Sequence, residues 1–238
     1  MHFDLPRNRI LPIEQANLMF DPDPHPYETA NAAGIDANWQ AETAANPALF
    51  NGEVMFFSSI RWLSGRLDAR CHAIRFATFM HWRKSRSDPS AEHLYAHAMP
   101  VSSDGALIAI RMAPHTANAG RVYFAAGSFD RDDLHDGRLD IAFNMAREVR
   151  EETGLDLSGC RADPIHHGWS GNGGTVLARR YFLDQTAEEI VARIRRHIAA
   201  DPEPEIDEAI IIRAPDDVPA GLMAHMPPLI AWHFGQPA

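Results

Sequence analysis

The sequence predicts an α/β fold that follows a small α+β region at the N-terminus. From about residue 93 onward, segments of strand-type residues alternate with segments of helical periodicity. The earlier part carries one alanine-rich helical stretch and a pair of strand-like segments. A polar, proline-broken stretch at 83–90 separates the two parts. We therefore predict an N-terminal extension at 1–92 and a second domain at 93–238.

The N-terminal region is rich in proline and irregular as far as Tyr27. A helix is predicted at about 29–45, and Asn46-Pro47 ends it because the residue before a proline disfavours helical geometry. Strand-type residues on both sides of Ser64-Gly65 predict a hairpin. Its strands are placed at 54–59 and 67–74, and a short aromatic helix is placed at 76–82.

The second region begins with strands and then reaches a glycine loop at Gly127. Its first strands are predicted at 97–100, 105–112 and 121–125, with a turn at 102–105. An acidic helix follows the glycine loop. After this helix we predict a strand, an amphipathic helix and a last strand, at 175–183, 188–199 and 208–213.

Composition limits the classes of function. The chain of 238 residues carries a net charge of −10, which argues against binding a nucleic-acid backbone. It has no apolar stretch long enough to cross a membrane and no signal-peptide pattern at its start, so we expect a cytoplasmic location and no membrane partner. Cys71 and Cys160 show no metal-binding spacing and are expected to pack in the core.

The acidic helix carries the strongest chemical signal. Glu148, Glu151 and Glu152 fall within roughly 100° of one another on a helical wheel, so their carboxylates can converge. Like charges at this spacing repel, and hard divalent cations such as Mg²⁺ or Mn²⁺ relieve that repulsion. A purely structural helix with salt bridges to Arg147 and Arg150 is the alternative.

The same helix is predicted to dock on the core by its other face, so that the glutamates point outward. The expected docking stripe is apolar and about 120° wide, and it consists of Leu139, Ala142, Phe143, Ala146 and Val149. Gly154 fits the left-handed position that ends a helix. The last glutamates therefore lie at the negative end of the helix dipole, where a cation is favoured.

The segment Arg-Glu-Val-Arg-Glu-Glu-Thr-Gly-Leu at 147–155 matches every constrained position in the second half of the Nudix box. The region from about 93 to 238 thus resembles the Nudix family, in which a mixed sheet lies between helices in an α/β/α sandwich. The N-terminal region, by its order of elements and its turn at 49–52, loosely resembles the extension of UDP-glucose pyrophosphatase-type Nudix proteins.

The first half of the box departs from the family pattern. The family places a glutamate eight residues before the arginine and a glycine fourteen before it, where this chain has Leu139 and Asp133. Treating Ala126-Gly127-Ser128 as the glycine turn, with an insertion at 130–136, restores the pattern. Asp140 then replaces the missing glutamate.

The resemblance implies metal-dependent hydrolysis of a nucleoside diphosphate linked to another group, with sugar nucleotides favoured. It implies Glu148, Glu151 and Glu152 as ligands of Mg²⁺ or Mn²⁺, Arg147 as the residue that orients a glutamate, and Glu148 or Glu208 as the base. Glu205 is an alternative to Glu208 as the late acidic residue. Arg111 and Arg121 are candidates for binding phosphate, and a surface salt bridge is an equal alternative for each.

Two other function hypotheses stay open. In one, the altered first half of the box leaves a Nudix-like module that binds a nucleotide but cleaves it weakly or not at all. In the other, the helix is only structural. The expected partner is a small phosphorylated molecule, and a homodimer is left open.

His93 and His97 share helical spacing without the zinc-protease pattern and are expected at the surface or core edge. The glycine-rich segment 168–174 is expected to be a flexible loop.

Overall fold

The computed structural model describes residues 3–86, 88–171 and 174–235. Its strands are β1 Phe3–Asp4, β2 Leu11–Ile13, β3 Gln15–Phe20, β4 Glu53–Leu63, β5 Arg66–Arg75, β6 His93–Val101, β7 Leu107–Met112, β8 Val122–Tyr123, β9 Leu134–His135, β10 Arg138–Leu139, β11 Arg161–Ala162, β12 His166–Gly171, β13 Gly174–Phe182 and β14 Ile206–Ile212. Its helices are α1 Pro26–Ala45, α2 Phe76–Ser85, α3 Ile141–Thr153, α4 Ala187–Ala200 and α5 Met226–His233.

The N-terminal sheet has the strand order β1-β4-β5-β3-β10-β9. Its centre is the predicted hairpin, in which β4 and β5 pair antiparallel around Ser64 and Gly65, both with positive φ. This combination suits a two-residue turn whose twist matches that of the strands. The predicted helices also form, as α1 and as α2, and α2 continues directly from β5. Because α2 packs against α1, β4 and β5, its aromatic side chains are held in a fixed position.

The second sheet has the strand order β14-β7-β6-β13-β12-β2 and is mixed, because β6 runs parallel to β13 and antiparallel to β7. Helix α3 packs near β6, and α4 packs on β7 and β14. Every residue of β6 after Tyr95 is buried, which places this strand in the middle of the layers. The predicted α/β fold with a mixed sheet is therefore confirmed, although the third predicted strand shortens to β8. In the described ranges, no helix is both long and apolar enough to span a bilayer.

The two regions exchange strands. From the N-terminal region, β2 pairs with β12 at the edge of the second sheet. In return, the hairpin β9–β10 pairs with β3, with Arg138 opposite Met19. This hairpin, whose turn at Asp136 and Gly137 has positive φ, includes the end of the inserted segment 130–136. A continuous apolar core runs through both regions, so the boundary predicted at residues 92 and 93 is bridged in space by strands from each side.

Helix α3 docks by a face that only partly overlaps the predicted one. Of the predicted stripe, Leu139 and Val149 are buried, but Phe143 is 41% exposed and Ala142 is exposed too. The apolar residues buried on the helix itself are Ile141, Met145 and Val149. These residues repeat every four positions and bury larger side chains than the two alanines of the predicted stripe. This difference explains why their face of the helix packs on the core. The helix is therefore turned so that part of its acidic stripe faces inward.

Candidate active site

The end of α3 is fixed by glycine and by side chains from α4. Gly154 has φ 67°, and its N–H donates to the carbonyl of Arg150 at 2.9 Å, as predicted for the residue that ends the helix. A Cβ at this position would lie 2.7 Å from Nδ1 of His197. His197 Nε2 donates to the carbonyl of Glu151 at 2.9 Å, and Arg193 Nη2 donates to that of Gly154 at 2.9 Å. These donors offset the negative end of the helix dipole.

Glu148 and Glu152 are held beneath the glycine loop. Each is 8% exposed, whereas the side chain of Glu151 is about half exposed. The expectation that all three glutamates point outward is therefore wrong for Glu148 and Glu152. The N–H of Ala126 donates to Glu152 Oε2 at 2.9 Å. Gly127 lies directly against the carboxylate of Glu148 and leaves no room for a side chain. The glycine turn predicted at Ala126–Ser128 therefore lies where the box helix needs it.

Arg147 joins the acidic helix to the segment before it. Its guanidinium contacts both oxygens of Asp133 at 3.0 and 3.1 Å, and Nη1 contacts Glu148 Oε1 at 2.9 Å and Glu151 Oε2 at 3.2 Å. Asp133 is fully buried. Asp140, expected to replace the missing glutamate, instead accepts a hydrogen bond from the N–H of Phe143 and begins the helix. Asp133, at the position of the absent family glycine, is the residue that anchors Arg147.

An acidic cleft of about 410 Å³ opens over this helix. It is lined by Arg147, Glu148, Glu151, Glu152, Asp201, Glu203, Pro204 and Glu205. The last four residues come from the segment between α4 and β14, which the sequence presents as a charge run. The cleft therefore collects carboxylates from two separate parts of the chain, with the guanidinium of Arg147 as the positive group on its wall.

Burial and mutual repulsion shape the electrostatics of this cleft. Burial raises the pKa of Glu148 to about 8, with Glu151 and Asp133 adding to the rise and Arg147 opposing it. Burial also raises the pKa of Glu152, and the charges of Glu148 and Glu205 raise it further. The pKa of Arg147 is raised by Glu148 and Asp133 although its own burial acts the other way. Burial and repulsion thus oppose ionisation of these carboxyls, and a cation in the cleft would favour their charged form.

The residues of the cleft fit a hard divalent metal by their chemistry. Carboxylate oxygens are the ligands that Mg²⁺ and Mn²⁺ prefer, and Glu148, Glu151, Glu152 and Glu205 supply them. Within residues 3–86, 88–171 and 174–235, no three acidic, histidine or cysteine side chains stand ready to hold an ion. Glu148 is engaged by Arg147. Binding of a metal therefore requires these carboxylates to move closer together.

The other predicted site residues lie apart from the glutamates. Arg111 Nε donates to Glu208 Oε2 at 2.9 Å, and Arg111 Nη1 donates to the carbonyl of Ala220 at 2.9 Å. Arg121 is exposed. The structure therefore brings Arg147 to the three helix glutamates, while Arg111, Arg121 and Glu208 line neither the acidic cleft nor the cavity beside it. Their assigned roles stay predictions.

A second cavity, of about 300 Å³, adjoins the cleft and shares Glu148, Glu152 and Glu205 with it. Its walls include aromatic side chains of α2 and three residues of β6, His93, Tyr95 and His97. The expected position at the surface or core edge is wrong for His97, which is buried, whereas His93 is half-buried. The segment is a strand in which alternate residues share a face. The alternation at 93, 95 and 97 is the sequence signal that could have indicated a common site.

The glycine-rich segment at 168–174 also differs from expectation where it is described. Residues 166–171 form β12, and β13 begins at Gly174. Trp169, Gly171 and Gly174 line the aromatic cavity. The remaining residues of the predicted loop, 172 and 173, lie outside the described ranges.

Neither a family model nor a curated protein matches the chain. Similar solved structures include the MutT protein of Methanosarcina mazei Go1, with a TM-score of 0.40 and 17% identity over 60% of this chain and 92% of that chain. A Nudix hydrolase from Nitrosomonas europaea has a TM-score of 0.37 and 14% identity over 62% and 75%. The Nudix domain of Shewanella oneidensis NrtR, solved with ADP ribose, has a TM-score of 0.35 and 10% identity over 55% and 80%.

The resemblance to the Nudix family rests on residues of this chain. The box at 147–155 lies on a helix, the helix follows a glycine loop that covers its glutamates, and the mixed sheet lies beside it. This arrangement agrees with the resemblance of the region to the Nudix family.

Proposed function

We propose that the protein is a Nudix-type hydrolase that cleaves the diphosphate bond of a nucleoside diphosphate linked to another group, with Mg²⁺ or Mn²⁺ as cofactor. The observation that carries the proposal is the meeting of Glu148, Glu152 and Glu205 at the border between an acidic cleft and an aromatic cavity. A metal-bound diphosphate fits the acidic cleft, and an organic group attached to it fits the adjoining aromatic cavity.

The residues of the cleft have distinct roles in this proposal. Glu148, Glu151 and Glu152 hold the metal, and Glu205 is a further ligand or the base that takes a proton from water. When bound, the metal neutralises charge on the phosphate oxygens and lowers the pKa of the attacking water. Arg147, fixed by Asp133, positions Glu148 through a charge-assisted ion pair. Gly127 lets the loop pack directly on Glu148, because a side chain at position 127 would clash with that carboxylate.

A substrate panel tests the proposal. Purified full-length protein is incubated with nucleoside diphosphate sugars, dinucleoside polyphosphates and nucleoside triphosphates, with Mg²⁺, with Mn²⁺ or with chelator, and released monophosphate and phosphate are quantified. We expect hydrolysis of at least one diphosphate-linked substrate that disappears with chelator. Sugar nucleotides are tested first because of the loose resemblance of the N-terminal region.

The binding module is the alternative outcome. If the whole panel stays intact while calorimetry detects nucleotide binding, the protein binds nucleotides without cleaving them. If a variant with glutamine at 148, 151 and 152 has the same metal affinity as the wild type, both the enzyme and the metal-assisted module are ruled out.

A further inference from the structure

We propose that α2 of the N-terminal region and strand β6 form a pocket for the aromatic base of the nucleotide, and that Tyr95 accepts a hydrogen bond from an N–H of that base. This inference deepens the proposed function, because it assigns the organic part of the substrate to the aromatic cavity. It also gives the N-terminal region a role in choosing the substrate.

The composition of the cavity wall is the first argument. Aromatic side chains from different elements surround it, namely Phe76, Phe79, Trp82, Tyr95, Tyr123 and Trp169. His93 stacks on Tyr95 with ring centroids 4.8 Å apart, and Phe79 lies 4.6 Å from His93. Phe79, Tyr95 and Trp169 are only half-buried, so parts of their rings face open space. A planar heterocycle can bury its faces against such rings, and stacking of this kind tolerates any base.

A chain of hydrogen bonds fixes what Tyr95 offers to a ligand. The carbonyl of Phe124 can only accept, so His97 donates to it from Nδ1 at 2.8 Å. Burial lowers the pKa of His97 to about 3, so its Nε2 carries no proton and accepts from Nε2 of His225 at 2.9 Å. Burial and the neighbouring His97 also lower the pKa of His225, so its ring is neutral and has its proton on Nε2. Its Nδ1 is therefore an acceptor, and the hydroxyl of Tyr95 donates to it at 2.9 Å.

This network fixes the direction of any hydrogen bond between Tyr95 and a ligand. The one proton of the Tyr95 hydroxyl is used by His225, so its oxygen can only accept a hydrogen bond from a ligand. The exocyclic amines and ring N–H groups of nucleobases supply such a donor. An aliphatic chain or a phosphate oxygen does not. A sugar hydroxyl can donate, but it lacks the flat face that the surrounding rings favour.

Arg83 supplies the complementary group. Its guanidinium lines the cavity and is partly buried, and burial is the main cause that lowers its pKa. Within the described ranges no carboxylate lies within 4.0 Å of it, and its contacts are Asn118 Oδ1 at 3.3 Å and Met80 Sδ at 3.6 Å. A guanidinium with such long contacts keeps donors for a carbonyl or ring nitrogen of a ligand. The pocket therefore offers one acceptor and several donors between aromatic walls.

The test measures binding without turnover. Calorimetry in Mg²⁺ compares AMP, GMP, CMP and UMP with ribose 5-phosphate, which has the same phosphate but no base and, like them, no diphosphate bond to cleave. We expect at least one nucleotide to bind about tenfold or more tightly than ribose 5-phosphate, from stacking and base-edge hydrogen bonds. Equal affinities for ribose 5-phosphate and all four nucleotides would overturn the inference.

Variants locate the effect. Phe79→Ala and Tyr95→Phe should each weaken binding of the best nucleotide about fivefold or more and leave ribose 5-phosphate unchanged. Tyr95→Phe keeps the ring and changes only the hydroxyl, so it remains informative if Phe79→Ala unfolds. Phe50→Ala is the matched control, because Phe50 is 83% exposed and lies outside the cavity. Unchanged nucleotide affinity in Tyr95→Phe would refute the role of Tyr95.

Failure of this inference is distinguishable from failure of the proposed function. Nucleotide binding that depends on Tyr95, together with an inert substrate panel, supports the base pocket and rejects hydrolysis. Hydrolysis of diphosphates with no preference for nucleotides over ribose 5-phosphate in binding supports the enzyme and rejects the base pocket.

Discussion

Gly127 packs so closely on the carboxylate of Glu148 that position 127 has no room for even a methyl group. The backbone of Gly127 does not need positive φ, so the constraint is the close approach alone. Replacement by alanine must displace either the loop or Glu148. Since Glu148 is the buried glutamate nearest Arg147, its displacement also disturbs the ion pair that positions it.

Gly127→Ala is therefore expected to lower kcat/KM for the best substrate by roughly 100-fold, because small displacements of a catalytic group have effects of this size. Circular dichroism should still show a folded chain. Gly168→Ala is the matched control: Gly168 is buried in β12, and a Cβ there would be 3.4 Å from Ile13 Cδ1, an ordinary contact. Equal kcat/KM in Gly127→Ala and wild type would contradict the placement of Glu148 in the active site.

Asp133→Asn removes the charge that anchors Arg147. Asp133 is fully buried and contacts the guanidinium with both oxygens, so the variant leaves Arg147 with an incomplete partner. We expect a loss of about 3 kcal/mol in the free energy of unfolding, measured by urea denaturation. Asp132→Asn, at an exposed neighbouring position, should change the free energy of unfolding by less than about 0.5 kcal/mol.

A double-mutant cycle tests whether Asp133 and Arg147 stabilise the chain through their direct contact. Arg147→Gln alone and combined with Asp133→Asn should give a coupling energy of about 1 kcal/mol or more between the two positions. Additive losses would mean that Asp133 stabilises the chain through Asn144 or the backbone instead, since it also accepts from Asn144 Nδ2 at 2.9 Å.

Glu152→Gln should separate stability from activity. Glu152 is buried beside Glu148 and Glu205, and glutamine keeps an oxygen that can accept from the N–H of Ala126 while removing the like charge. The free energy of unfolding without metal should therefore not fall. Hydrolysis should drop below detection because a metal ligand is lost. Thermal unfolding in chelator and the substrate panel measure the two effects, and a clearly unstable variant would show that the carboxylate has a structural role.

Comparing Glu205→Gln with Glu208→Gln tests which of these two acidic residues takes part in hydrolysis. Glu205 borders both cavities, whereas Glu208 is paired with Arg111 on neighbouring strands. The structure leads us to expect a loss of about 100-fold in kcat for Glu205→Gln and less than about threefold for Glu208→Gln, because an exposed ion pair contributes little. The reverse order would support Glu208, the residue favoured by sequence.

Much of the fold could be predicted because its signals are local. The hairpin turn at Ser64-Gly65, the box helix and its end at Gly154 depend on backbone preferences and side-chain spacing within a few residues. The strand-helix alternation after residue 93 gave the α/β class for the same reason.

The rest depends on contacts between distant parts of the chain. His225 joins His97 across 128 positions, and the hairpin β9–β10 pairs with β3, which no local pattern indicates. Glu205 and Glu208 differ by three positions, yet a bulge between Ile206 and Glu208 and the strand that follows direct them to different places. The rotation of α3 likewise depends on which of its faces the core accepts.

Stability should fall in mild acid partly through His25. This residue is fully buried at the start of α1, where Nδ1 accepts from the N–H of Tyr27, and burial lowers its pKa from 6.5 to about 4. Between pH 6.5 and pH 4, His25 binds a proton in the unfolded chain but not in the folded chain. The contribution of His25 to stability is therefore complete above pH 6.5 and is lost as the pH falls toward 4, by up to about 3 kcal/mol.

His25→Asn tests this dependence, because asparagine can still accept from the start of the helix but does not titrate. Urea denaturation at pH 7, 5.5 and 4.5 should show a smaller decline in the free energy of unfolding for the variant than for the wild type, even if the variant is less stable at pH 7. His115→Asn, at an exposed position, should follow the wild-type profile. Parallel declines in His25→Asn and wild type would mean that other groups cause the acid sensitivity, since only the difference between the two profiles isolates His25.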